Sequence, residues 1–217
     1  MCIMDAREKY IEEYIVSHSD SEPLLLKKLQ RDAHLHLLRP RMIAGHLQGR
    51  LLKMFVHMIC PKHVLEIGTY TGYSAICLAE GLPEGGHLYT IEINDEMEDF
   101  IRKYLDQSEQ KEKISLLIGD ALDIIPTFKD NFFDLVFIDA DKRKYWEYFE
   151  AVLPKVSTGG FIFVDNTLWN GKVLNETHIR DPQTKGILDF NDKLAIDDRV
   201  EKVMLPIRDG LTLIRKK

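Results

Sequence analysis

The stretch Val64-Leu65-Glu66-Ile67-Gly68-Thr69-Tyr70-Thr71-Gly72-Tyr73-Ser74 decides the fold of this chain. Val64, Leu65 and Ile67 flank Glu66 in a short apolar run that breaks at Gly68, the pattern of a buried strand entering a tight turn. Beyond Gly72 the positions Tyr73, Ile76, Cys77 and Ala79 recur at helical spacing, so the chain passes from strand through glycine turn to helix. Such a turn sets backbone N–H groups and a helix N-terminus beside the carboxyl end of a strand, where open α/β sheets bind their ligands.

From His63 onward strand and helix alternate, with strands at 63–68, 87–93, 114–118, 133–139 and 160–165 and helices at 72–81, 94–106, 121–126 and 142–153. The strands are near-continuous apolar runs, Leu135-Val136-Phe137-Ile138 and Phe161-Ile162-Phe163-Val164 among them, as expected where both faces of a parallel sheet are covered. After a helix at about 183–197, the runs 200–206 and 211–215 are joined by Arg208-Asp209-Gly210, a hairpin signal. The expected fold is a Rossmann-like, doubly wound α/β domain whose mostly parallel seven-stranded sheet ends in an antiparallel last strand. Upstream, residues 4–18, 22–38 and 41–60 read as helices, with Ser21-Glu22-Pro23 opening the second and Pro40 closing it. One domain spans 1–217, a helical extension over 1–40 preceding the α/β core at 41–217.

A net charge of −6 over 217 residues argues against a nucleic-acid-binding surface. Cys2, Cys60 and Cys77 are odd in number and form no Cys-x-x-Cys pair, so neither a disulfide framework nor a zinc site is expected, and the cytoplasm is the expected compartment. The N-terminus is charged and no apolar run approaches the ~20 residues of a membrane span, so neither a signal peptide nor a transmembrane helix is expected.

The five parallel strands each deliver an acid to the same rim: Glu66, Glu92, Asp120, Asp139 and Asp165. Together they repel one another unless they hydrogen-bond a polar ligand, bind a cation, or both. The glycine turn narrows the choice. A dinucleotide site would show Gly-x-Gly-x-x-Gly, whereas Gly68 is followed only by Gly72, and no Gly-Lys-Ser/Thr phosphate loop is present. Glu92 lies 24 residues beyond Gly68, where an acid that grips ribose hydroxyls belongs. A ribose-bearing, phosphate-free, cationic ligand fits best, and S-adenosylmethionine is one. Asp139, Asp165 and Asn166 form a second set of oxygen donors at neighbouring strand ends. Without Cys or His they favour a hard ion, Mg²⁺ first, with Ca²⁺ or Mn²⁺ as alternatives. Lys142 follows Asp139 by three residues, and beside a divalent cation its ammonium pKa should fall far enough for it to serve as a general base.

Leu65-Glu66-Ile67-Gly68-Thr69-Tyr70-Thr71-Gly72-Tyr73-Ser74, Phe137-Ile138-Asp139-Ala140-Asp141-Lys142 and Gly159-Gly160-x4-Asp165-Asn166 resemble the cation-dependent O-methyltransferases of the caffeoyl-CoA and catechol O-methyltransferase type. Met42-Ile43-Ala44-Gly45-His46-x-Gln48-Gly49 and Leu205-Pro206-Ile207-Arg208-Asp209-Gly210-Leu211-Thr212 are similar to the bacterial members, and the likeness covers about residues 40–217. The resemblance implies that Gly68, Tyr70 and Ser74 surround the methionine part of S-adenosylmethionine, that Glu92 takes its ribose, and that Ala121 beside Asp120 takes its adenine. Met42 and Ile43 would lie along the cofactor's other side, and Glu66 would support its amino group. By the same likeness Asp139, Asp165 and Asn166 hold the metal, Lys142 is the catalytic base, and Trp169 falls where substrate-covering side chains sit. The implied acceptor is a small vicinal-diol phenolic, and the implied assembly is a homodimer. A nicotinamide-dependent oxidoreductase on the same scaffold is the rival, disfavoured by the missing second glycine and the absence of a Tyr-x-x-x-Lys pair.

Overall fold

The computed structural model describes residues 6–174 and 181–217. Seven strands, β1 His63–Ile67, β2 His87–Glu92, β3 Ile114–Ile118, β4 Phe133–Ile138, β5 Val156–Asp165, β6 Val200–Leu205 and β7 Leu211–Lys216, form one sheet of order 3-2-1-4-5-7-6. β1 to β5 are parallel, and β7 runs antiparallel between β5 and β6. The doubly wound sheet expected from the alternating pattern is therefore the one observed.

Alternate side chains of each strand go to opposite faces, and each face has its own core. Val64, Leu88, Leu135, Phe137 and Phe163 pack with α2 Leu24–His36, α3 His46–Ile59, α4 Tyr73–Glu80 and α5 Glu98–Leu105. Leu65, Ile67, Val136, Ile138, Ile162 and Val164 pack with α6 Ala121–Ile124, α7 Tyr145–Val152 and α8 Pro182–Ala195. Burial on both faces is why the strand sequences show unbroken apolar runs. α1, Ala6–Ser17, leaves Tyr10, Ile11, Tyr14, Ile15 and Val16 exposed. No described helix is long and apolar enough to cross a membrane.

Among the boundaries that differ from expectation, three bear on the site or have a clear local cause. The helix expected over 41–60 starts at His46: Pro40–Met42 is a separate 3-10 turn, and Gly45 at φ +81° breaks the helical path between them. β5 starts at Val156 rather than 160, because a bulge around Gly159, at φ +81°, carries the strand through the Gly-Gly pair that reads as a break. Lys142 sits in a 3-10 turn, Lys142–Lys144, ahead of α7 and not inside it.

Candidate active site

The carboxyl ends of β1, β2, β4 and β5 open onto a cavity of about 650 Å³. Of the residues singled out from sequence, Met42, Ile43, Gly68, Tyr70, Ser74, Glu92, Ala121, Asp139, Lys142, Asp165, Asn166 and Trp169 all line it. Glu66 and Asp120 do not, and each has a physical reason for standing back.

Glu66 is fully buried beneath the glycine turn, accepting a hydrogen bond from the Thr90 hydroxyl at 2.5 Å. Burial pushes its carboxyl up to about 8, against the pull of the Ser74 and Thr90 hydroxyls, so near neutral pH it is mostly a neutral acid and not a fixed charge. A carboxyl that keeps its proton longer when folded makes stability fall as pH rises from its unfolded value, near 4.5, toward 8. Glu66→Gln is therefore expected to be more stable than the natural chain at pH 8, by on the order of a few kcal/mol, and to show little gain at pH 4.5. Denaturant unfolding at the two pH values measures this, and an equal difference at both would contradict it. Asp120 is spent locally: it caps α6 by accepting from Leu122 N at 2.9 Å and pairs with Lys144 at 3.1 Å, which holds its carboxyl below the usual range. Its neighbours Gly119 and Ala121 face the cavity instead.

The donor half of the cavity is built on the turn after β1. Gly68 takes φ +98° with the carbonyl oxygen of Asp139 against it, a path that only a residue without Cβ follows. Tyr70 follows at φ +50°, and its hydroxyl is buried with no hydrogen-bond partner among the described residues. Glu92 accepts from Tyr70 N at 2.7 Å and from Asn94 N at 2.9 Å, so both carboxylate oxygens are oriented by backbone and each keeps a lone pair free.

The other half is built on the ends of β4 and β5, where Asp139 and Asp165 follow the Ile138–Val164 register pair. Asp165 is 3% exposed, and burial followed by the nearby charge of Asp139 pushes its carboxyl up to about 7. Lys142 Nζ donates to Asp139 Oδ1 at 2.6 Å. Burial lowers the pKa of this ammonium, but Asp139 and Tyr145 more than offset it, so the net shift is upward and Lys142 is held protonated. Trp169, at φ +46°, places its ring 6.0 Å from Lys142 Nζ and 5.1 Å from Lys172 Nζ. No group of three or more His, Cys, Asp and Glu converges as a metal cluster among the described residues; the strand-end set is two carboxylates and one amide.

Gln48 falls within a motif quoted from the sequence, but sequence reasoning gave it no role. It is 2% exposed, lies on the buried stripe of α3 with Leu52 and Val56, and donates from Nε2 to Asp165 Oδ2 at 2.7 Å. A glutamine interrupting an apolar helix stripe was the available signal. Arg39, Arg41 and Arg208 also line the cavity; Arg208 stands in the hairpin motif before β7, but the motif marks a turn and gives its side chain no role.

Solved structures that superpose on this chain include methyltransferases. The O-methyltransferase TomG from Streptomyces achromogenes, solved in complex with SAM, superposes with a TM-score of 0.89 at 30% identity, over 99% of this chain and 100% of that one. An O-methyltransferase from Bacillus cereus in complex with SAH gives 0.88 at 29% identity, covering 96% and 97% of the two chains. Fold and cavity thus define a Rossmann-like methyltransferase. The family model described as O-methyltransferase matches residues 16–217, and the caffeoyl-CoA O-methyltransferase of Eucalyptus gunnii is 34% identical over 98% of this chain and 88% of its own. The chain belongs to the O-methyltransferase family, in the S-adenosylmethionine-dependent, caffeoyl-CoA O-methyltransferase-like group.

Proposed function

We propose that this chain transfers the methyl group of S-adenosylmethionine to a hydroxyl of a small vicinal-diol phenolic, with a divalent cation, Mg²⁺ first, held by Asp139, Asp165 and Asn166. The observation that carries the proposal is that the glycine cradle and the oxygen-donor set open into one cavity. The residues fit both groups. The unpartnered Tyr70 hydroxyl and the free lone pairs of Glu92 suit the hydroxyls and amine of the methyl donor. Asp165, buried beside a second carboxylate, is a group whose ionised form needs a cation, and oxygen-only donors suit a hard one.

S-adenosylmethionine would supply an electrophilic sulfonium methyl group. The cation would supply Lewis-acid polarisation of the diol, lowering a phenol pKa of about 10 toward neutrality. The remaining work belongs to the chain. Gly68, Tyr70, Ser74 and Glu92, with Met42, Ile43 and Ala121, orient the donor; Glu66 supports the turn from beneath as a neutral acid. Lys142 Nζ would receive the phenol proton as the neutral amine, after giving up its own proton. Its ion pair with Asp139 keeps it charged, so the base role requires Asp139 to be engaged elsewhere, as its place in the donor set provides. Trp169 covers the acceptor ring and helps exclude water.

A panel of vicinal-diol phenolics incubated with labelled S-adenosylmethionine tests the proposal. Chelator is expected to cut methylation of the best acceptor at least about tenfold, and Mg²⁺ to restore it. Undiminished methylation in chelator would remove the metal, and an inert panel would remove the acceptor class. The proposed setting is the cytoplasm and the proposed assembly a homodimer; the exposed apolar residues of α1 support the assembly, which light scattering in solution checks.

A further inference from the structure

Six cationic side chains line the cavity of a chain whose net charge is −6: Arg39, Arg41, Lys142, Arg143, Lys144 and Arg208. Three are spent on neighbouring acids, Lys142 on Asp139 at 2.6 Å, Arg143 on Asp141 at 2.6 Å and Lys144 on Asp120 at 3.1 Å. Arg39, Arg41 and Arg208 form no ion pair among the described residues, although Asp209 lines the same cavity.

These arginines do not all serve the same half. Arg39 acts electrostatically on Tyr70, in the donor cradle. Arg208 stands on the acceptor side: its Nη1 donates to Gln48 Oε1 at 2.8 Å, and Gln48 in turn donates to Asp165 at 2.7 Å. Its position is prepared in advance. The backbone of Arg208 is held at φ +49°, and its guanidinium lies over Gly45, where an added Cβ would come within 3.5 Å of Nη1. Binding the guanidinium to a neutral amide uses one of five N–H donors and leaves the charge uncompensated. A carboxylate at position 48 would have neutralised it.

We propose that Arg208 anchors an anionic group, carboxylate or phosphate, carried by the methyl acceptor, and that the enzyme selects anionic diol phenolics over neutral ones. The inference rests on the acceptor half assigned under Proposed function. The planar fork of a guanidinium matches either anion by two parallel N–H···O bonds. Gln48 is the positioning residue that keeps this fork in register with Asp165, so the anionic end and the reacting diol are set by one hydrogen-bonded chain.

Calorimetric titration of the protein saturated with S-adenosylhomocysteine and Mg²⁺ tests the anchor without needing turnover. The ligands are 3,4-dihydroxybenzoate, 3,4-dihydroxyphenylphosphonate and the neutral methyl ester of the benzoate, so that the diol is constant and the charge varies. At least one anion is expected to bind about tenfold or more tighter than the ester, the ratio between the two anions telling carboxylate from phosphate. Arg208→Gln is expected to bring the anions down to the ester, and Arg208→Lys, which keeps charge but loses the fork, to retain part of the preference. Arg143→Gln, which removes a cavity cation already spent on Asp141, is expected to keep it. Equal binding of ester and anions by the natural chain, or a full preference in Arg208→Gln, overturns the anchor. Methyl transfer to anion and ester alike with equal affinity removes the anchor alone; anion-selective binding with no methyl transfer keeps the anchor and removes the function proposed above.

Discussion

Lys142→Met is expected to lower kcat by about 10²- to 10⁴-fold, the range spanned by loss of a positioned general base, while S-adenosylhomocysteine affinity stays within about threefold. Lys142 is 9% exposed, lies three residues beyond Asp139 and is bonded to it at 2.6 Å, so its ammonium cannot wander from the strand-end acids. Two roles are compatible with that geometry: a base that takes the phenol proton, or a fixed cation that balances Asp139. Lys142→Arg separates them. Arginine preserves the charge but does not deprotonate in proteins, so a base role predicts a loss close to that of Lys142→Met, whereas a purely electrostatic role predicts near-normal turnover. Steady-state rates of the two variants, with calorimetric titration of the product to show an intact donor site, decide the matter. Near-normal turnover in Lys142→Arg would remove the base and leave the ion pair.

Gly68→Ala is expected to destabilise the fold by about 2–5 kcal/mol, combining the cost of an L side chain at positive φ with that of overpacking. An added Cβ at Gly68 would lie 2.1 Å from the carbonyl oxygen of Asp139 and 3.2 Å from Ala140 Cα, so β1 and β4 would have to part. Because that movement displaces Asp139 and the turn together, methyl-donor affinity is expected to fall at least tenfold in whatever fraction folds. The internal comparison is Gly85→Ala: Gly85 also has positive φ, +74°, but an added Cβ there meets nothing within 4 Å. That variant isolates the backbone cost, about 1 kcal/mol, or a few degrees of melting temperature for a chain of this size. If Gly68→Ala melted with Gly85→Ala and bound S-adenosylhomocysteine normally, the close approach of the two strands would not matter to the site.

Much of the site was legible because its residues directly follow recognisable strands. An apolar run that ends in Glu or Asp reports both the strand and the place where its last side chain emerges, and Glu92, Asp139 and Asp165 all reach the cavity in this way. The same logic overreached at Asp120 and Glu66. Asp120 stands one residue past a turn glycine and is consumed by capping α6, which a strand-end count does not see. Glu66 precedes the strand end by one residue, so its side chain is still enclosed within the covered sheet and does not emerge at the rim.

The amino-acid sequence by itself determined the doubly wound sheet, the glycine turn after β1, the acids at the strand ends and the likeness to O-methyltransferases. All of these depend on local order: apolar periodicity, turn chemistry and residues adjacent along the chain. Only the tertiary structure decided how the cavity's charges are balanced. The Gln48–Asp165 bond spans 117 positions and the Gln48–Arg208 bond 160, and both exist because α3 and the loop before β7 are packed against the same end of the sheet. Which cation is spent on an acid and which is left free for a ligand depends on distances of a few ångströms between elements remote in sequence.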